Sequence, residues 1–96
     1  MTIVRTTRFQ VRSADAEEMQ RRREALIAAV RDRFPGLGEA RLTRVDATTW
    51  VDSWVWASRE ELEAALAGAP SIDQAGPAFA LTTDVTAENG ELIDVR

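Results

Sequence analysis

The stretch "TTWVDSWVWAS", residues 48–58, holds every Trp of the chain, and Trp50, Asp52, Trp54 and Trp56 all fall on even positions. Side chains of a β-strand point alternately to opposite faces. One face therefore carries Trp50, Asp52, Trp54 and Trp56, and the other carries Val51, Ser53, Val55 and Ala57. Upstream, "IVRTTRFQVR" (residues 3–12) is rich in β-branched residues and predicts a strand. Ile3, Phe9 and Val11 share one face, with Val4, Arg8 and Arg12 on the other. Residues 38–46, "GEARLTRVD", predict a second strand, joined to the Trp strand by a short turn at Ala47 and Thr48. The pair reads as an antiparallel hairpin.

Between these strands the period changes to that of a helix. Ser13 and Asp15 are N-cap candidates, and Glu18 follows Asp15 at capping-box spacing. Met19, Leu26, Ile27, Val30 and Phe34 then form one apolar stripe that Pro35 and Gly36 terminate. Ser58 with Glu61 repeats the capping pattern ahead of a helix whose apolar face is Leu62, Ala65 and Leu66, closed by Gly68 and Pro70. Ser71 with Gln74 predicts a further short helix near "SIDQ", which Pro77 would kink or restart. The last extended segment contains Asn89-Gly90, either a hairpin turn or an irregularity in one long strand. The order β-α-β-β-α-β predicts a single domain over residues 1–96. It is a ferredoxin-like α+β fold, a four-stranded antiparallel sheet with both helices on one face. The other face then needs polar residues or a partner.

Composition narrows the chemistry. The chain has no Cys, His, Lys or Tyr. It therefore has no disulfide or thiolate, no imidazole base or ligand, and no amine for a Schiff base. Zinc sites and His-, Cys- or Tyr-ligated haem are excluded from this chain alone, and no metal site is expected. Acid–base work falls to carboxylates, or the substrate must supply much of the reactivity. The net charge of −4 argues against a nucleic-acid partner. The lone basic cluster, Arg21-Arg22-Arg23, is flanked by Glu17, Glu18 and Glu24 and reads as a solvated helix face. No apolar run is long enough to span a bilayer, and arginines interrupt the N-terminal segment where a secretion signal needs an apolar core. A cytoplasmic location without a membrane partner is expected.

At "WASREELEAAL" the sequence resembles the antibiotic biosynthesis monooxygenase (ABM) domain of the dimeric α+β barrel superfamily. Members often pass from strand to helix as Trp-x-Ser, an acidic residue and a small apolar stretch. Here these are Trp56, Ala57, Ser58, Glu60, Glu61, Ala64 and Ala65. The resemblance implies a homodimer in which two sheets pack face to face, each subunit holding a pocket between sheet and helices. Relatives include cofactor-independent oxygenases of aromatic polyketides, haem-degrading enzymes, and small isomerases or cyclases. Many have no demonstrated activity. Two positions depart from the family pattern. A His common in the second helix falls here at about Ala65, so haem degradation is not expected. An Asn that some oxygenases carry four residues before the motif Trp is here Asp52.

These considerations select the candidate residues. A carboxylate among indoles resists ionising, which makes Asp52 a candidate catalytic base. The alternative is a structural ion pair with Arg41 or Arg44 on the preceding strand, or with Arg5 or Arg8 on the first. Trp50, Trp54 and Trp56 are candidates for holding a planar ring, against the plainer alternative of core or interface packing. Arg8, like Arg5, is a candidate for binding an anionic or enolate oxygen. The expected activity is a cofactor-independent monooxygenation of a planar phenolic or polyketide-like molecule, with no cofactor. A non-catalytic ligand-binding homodimer and a cyclase or isomerase are the alternatives.

Overall fold

The alternating segments form the strands they predict. In the computed structural model, which describes residues Met1–Arg96 throughout, the elements are β1 (Ile3–Gln10), α1 (Ala16–Arg33), β2 (Leu37–Arg44), β3 (Thr49–Trp56), α2 (Arg59–Gly68), α3 (Ala75–Ala80) and β4 (Thr83–Glu91). They build one antiparallel sheet of order β2-β3-β1-β4. This is the ferredoxin-like arrangement, with the helices on one face.

Register decides which face that is. Ile3 lies opposite Trp56, Arg5 opposite Trp54, Thr7 opposite Asp52 and Phe9 opposite Trp50. From β2, Leu37, Ala40, Leu42 and Arg44 meet Trp56, Trp54, Asp52 and Trp50 respectively. Directly opposed residues share a face, so the tryptophans belong to the helix-covered side. Trp50 is 6% exposed and Trp56 2%. An indole buries on the order of 200 Å², so burial favours the helix-covered side by about 5 kcal/mol for each of the two. That outweighs leaving both indole N–H groups without a partner, at about 1–3 kcal/mol each.

The apolar layer between sheet and helices is split in two. The larger part joins Ile3, Leu26, Ile27, Val30, Leu37, Trp56, Leu62, Ala65, Ile72 and Ala78. The smaller joins Phe9, Val11, Ala16, Met19 and Trp50. Close approach at two glycines helps the larger part pack. A Cβ on Gly68 would lie 2.7 Å from the edge of the Phe34 ring, and one on Gly36 would overlap the Glu61 carboxylate.

Several local expectations are corrected. Asp15 occupies the N-cap of α1, but its side chain makes no cap bond, because the chain enters through a 3₁₀ turn at Ser13–Asp15. Ser58 does cap α2, accepting from the Glu61 N–H at 3.2 Å. Leu66 is 42% exposed and not part of the α2 core face. The third helix lies at "AGPAFA", downstream of "SIDQ". Pro77 falls in its first turn, where a missing N–H costs no helix bond. Asn89-Gly90 is no hairpin, since both residues pair with β1 opposite Arg5 and Val4. The irregularity lies earlier. Between the Arg8–Thr86 and Gln10–Thr83 pairs β4 carries one extra residue, and Asp84 there has φ 52°. This bulge bends β4 beside Phe9.

The β2–β3 turn is tied by Asp46, whose Oδ1 accepts the backbone N–H groups of Thr48 (3.0 Å) and Thr49 (2.8 Å). The Thr48 N–H first, then the Thr49 contacts, hold this carboxyl below its ordinary value. A depressed folded value means the turn's stabilisation is complete above about pH 4 and is lost as pH falls through the folded value. Asp46→Ala is therefore expected to lower the urea midpoint at pH 7. The gap from the parent protein should close as the pH drops below about 4.

Candidate functional site

At the seam between the two apolar clusters lies an ion pair. Arg23 Nε donates to Asp52 Oδ2 at 2.8 Å, and Arg23 Nη2 donates to Asp52 Oδ1 at 2.9 Å. The side chains are only 18% and 11% exposed. This is the two-pronged guanidinium–carboxylate geometry, stronger and more directional than a single contact. Asp52 is thus not a lone carboxylate among indoles but one arm of an ion pair. The partner is also not one of the strand arginines. Arg41 opposes Ser53 on the other face and pairs with Glu39. Arg44 covers the Trp50 ring, its guanidinium carbon 5.1 Å from the centroid.

The Arg21-Arg22-Arg23 cluster is likewise not one solvated face. Successive helical residues are rotated by about 100°, so the three point in three directions. Arg21 pairs with Glu18 in solvent, while Arg22 pairs with Glu18 and donates to the Pro77 carbonyl, tying α1 to α3. Arg23 turns to the sheet. The signal was present in the stripe itself. Met19, Leu26, Ile27 and Val30 leave a gap one turn after Met19, and residue 23 fills it.

Beside the ion pair opens a cavity of about 110 Å³, lined by Arg5, Thr7, Phe9, Met19, Arg23, Leu26, Asp52, Trp54, Ala78, Phe79, Thr82 and Val85. Its deeper wall is β1, β3 and α1, and its outer wall is α3 and the bulged start of β4. Phe79 and Val85 are about half exposed there, at 52% and 47%. A cavity of roughly 150 Å³ accommodates benzene, so this smaller space takes a ring only together with the half-exposed apolar rim of Phe79 and Val85.

The candidates divide accordingly. Asp52 and Trp54 line the cavity together. Trp56 is sealed in the larger core cluster and Trp50 in the smaller, so neither lines it. Arg8 does not line it either. Opposite Val51 and Thr86, it belongs to the uncovered sheet face, because its even register is out of phase with Arg5, Thr7 and Phe9. Arg5 occupies the place expected of Arg8. The residues missed from sequence are Arg23, Phe79, Val85 and Asn89, whose Oδ1 accepts from Arg5 Nη1 at 2.9 Å. No group of three or more acidic, His or Cys side chains is arranged to hold a metal, and no helix is long and apolar enough to cross a membrane.

Arg23→Met would strand the Asp52 carboxylate in a largely buried place. It is expected to cost about 3 kcal/mol in urea unfolding, whereas Arg21→Ala leaves the midpoint unchanged. Because the protein's own helices cover the indoles, the tryptophan emission maximum should not move to the red on dilution.

No protein-family model matches the sequence, and no curated protein matches it. Solved structures do. A variant of SnoaB from Streptomyces nogalater, a cofactor-independent oxygenase, superposes with a TM-score of 0.81 at 23% identity, covering 98% of this chain and 95% of SnoaB. A candidate antibiotic biosynthesis monooxygenase from Caulobacter crescentus gives 0.75 at 21% identity, covering 97% of this chain and 91% of its own. Rv0793 from Mycobacterium tuberculosis gives 0.71 at 18%, covering 99% and 98%. Over nearly its whole length, the chain has the ferredoxin-like fold seen in the ABM-type structures, which include a cofactor-independent oxygenase.

Proposed function

We propose that the protein is a cofactor-independent monooxygenase of a planar phenolic or polyketide-like molecule, working as a homodimer. The observation that carries this reading is the joint placement of Asp52, Arg23 and Trp54 on one apolar cavity between sheet and helices. The likeness to SnoaB adds to it at the level of fold.

The chemistry would divide as follows. Trp54 and the apolar walls hold the ring. Each carboxylate oxygen has two lone-pair sites, and the Arg23 fork uses one on each. Asp52 can therefore still accept a proton from an acidic hydroxyl or a CH₂ beside a carbonyl. The guanidinium of Arg23 remains in place to stabilise the enolate formed. That electron-rich anion passes an electron to dioxygen, and the resulting radicals combine as a peroxide. Loss of water converts the CH₂ to a carbonyl, so one O₂ is consumed and one water released per quinone. The substrate carries the redox burden, which suits a chain without His, Cys, Lys or Tyr.

The homodimer reading rests on the uncovered sheet face. Val4, Thr6, Val51, Ser53 and Val55 are only half-buried there, and every residue of β4 is exposed. A second copy would cover this face. A specific observation favours one alternative: both Asp52 oxygens are already engaged, as in a purely structural pair. That is the arrangement expected of a ligand-binding dimer without turnover.

Oxygen uptake with an anthrone, followed together with quinone formation, separates the two. The oxygenase reading expects one O₂ per quinone. Asp52→Asn should lower kcat by about 100-fold or more while tryptophan quenching by the same ligand persists. Saturable quenching with no oxygen uptake would leave the binding-protein reading. Light scattering should give twice the 10.6 kDa chain mass.

A further inference from the structure

We propose that the ligand of this cavity is an aromatic carboxylate, its ring on Trp54 and its carboxylate on Arg5. The inference rests on the cavity being the ligand site and goes further by assigning the ligand's charge.

It follows from which charges on the cavity wall are already spent. Arg5, Arg23 and Asp52 are the charged lining residues. Arg23 and Asp52 neutralise each other's charge through two hydrogen bonds, one to each carboxylate oxygen. Arg5 is left over. It takes part in none of the ion pairs of the protein. Its one side-chain hydrogen bond goes to a neutral amide, Asn89 Oδ1, at 2.9 Å. A guanidinium carries five N–H donors, so most of them remain for a ligand. The Asn89 contact holds the group in position without neutralising it.

The surroundings make an uncompensated cation effective. Seven of the twelve lining residues are hydrophobic, and on that side of the half-buried Arg5 the apolar walls strengthen electrostatic contacts, while its Asn89 contact lies at the exposed edge. Arg5 and Trp54 are direct cross-strand partners on the helix-covered face, and such pairs have Cβ atoms about 5 Å apart. A ring lying on the indole therefore carries a substituent at its edge to the guanidinium. The planar fork of an arginine matches the two oxygens of a carboxylate. The protein as a whole has a net charge of −4, so its overall field repels anions. A preference for an anion must come from the cavity itself.

The test compares 2-naphthoate with its neutral counterpart 2-naphthamide at pH 7, by calorimetry and by tryptophan quenching. The naphthoate should bind about tenfold tighter or better. Arg5→Gln should abolish that advantage and leave naphthamide binding unchanged, and Arg5→Lys should keep part of it, with circular dichroism confirming that each variant is folded. In the unaltered protein, added salt should weaken naphthoate but not naphthamide, a readout that needs no variant. Equal, saturable binding of both ligands would overturn the carboxylate assignment while leaving the cavity as an aromatic site. A preference that survives Arg5→Gln would overturn the role of Arg5. Failure of both ligands to bind would overturn the cavity reading and the proposal together.

Discussion

The contact between Arg23 and Asp52 joins α1 to the middle of the sheet at the place where the apolar layer is interrupted. Both groups are largely withdrawn from water, and each would be costly there alone. Two charge-assisted hydrogen bonds in fixed geometry compensate, and they allow little sliding of α1 over β3. The pair also sets what surrounds it. With two polar side chains at the seam, Met19 and Phe9 gather on one side and Leu26 and Ala78 on the other. The space between the two groups remains a cavity instead of closing as core.

That cavity combines two properties that a small enzyme or binding protein needs. Its inner wall belongs to rigid elements, the central strands β1 and β3 and the long helix α1. Its outer wall is the six-residue helix α3 and the bulged start of β4, short pieces with few buried anchors. Arg22 is one such anchor, reaching the Pro77 carbonyl from α1. Charged and ring-holding groups thus come from the stiff side, and the apolar rim of Phe79 and Val85 from the side that can yield. For a chain without imidazole, thiol, amine or phenol, placement of this kind is the main resource. A carboxylate and two arginines can bind and move protons, while a reactive substrate does the rest.

Period-two and period-3.6 patterns were enough to place β1, β2, β3 and both long helices, because each of those elements turns one face to the apolar layer, whereas β4 is exposed along its whole length and left a hairpin open as an alternative. The short elements resisted too. A six-residue helix carries too few turns to show a stripe, and the irregularity in β4 comes from an Asp at positive φ, which that residue tolerates without announcing it. Among the site residues, Asp52 and Trp54 stood out as a polar position and an aromatic one on the same strand face. Arg23 was equally legible as a gap in the apolar stripe of α1, but the charges on either side suggested a solvated surface.

By itself the sequence determined the fold type, the shared face of Trp50, Asp52, Trp54 and Trp56, and the poverty of its chemical groups, since local periodicity and composition depend on no distant contact. Only the tertiary structure decided that this face lies beneath the chain's own helices. It also decided that Arg5 and not Arg8 reaches the cavity, and that two of the three tryptophans are core. Those outcomes depend on cross-strand register and on which helix turn lies over which strand. A shift of one residue reverses every side chain in a strand, and a single chain's pattern carries no measure of that alignment until the layers are packed together.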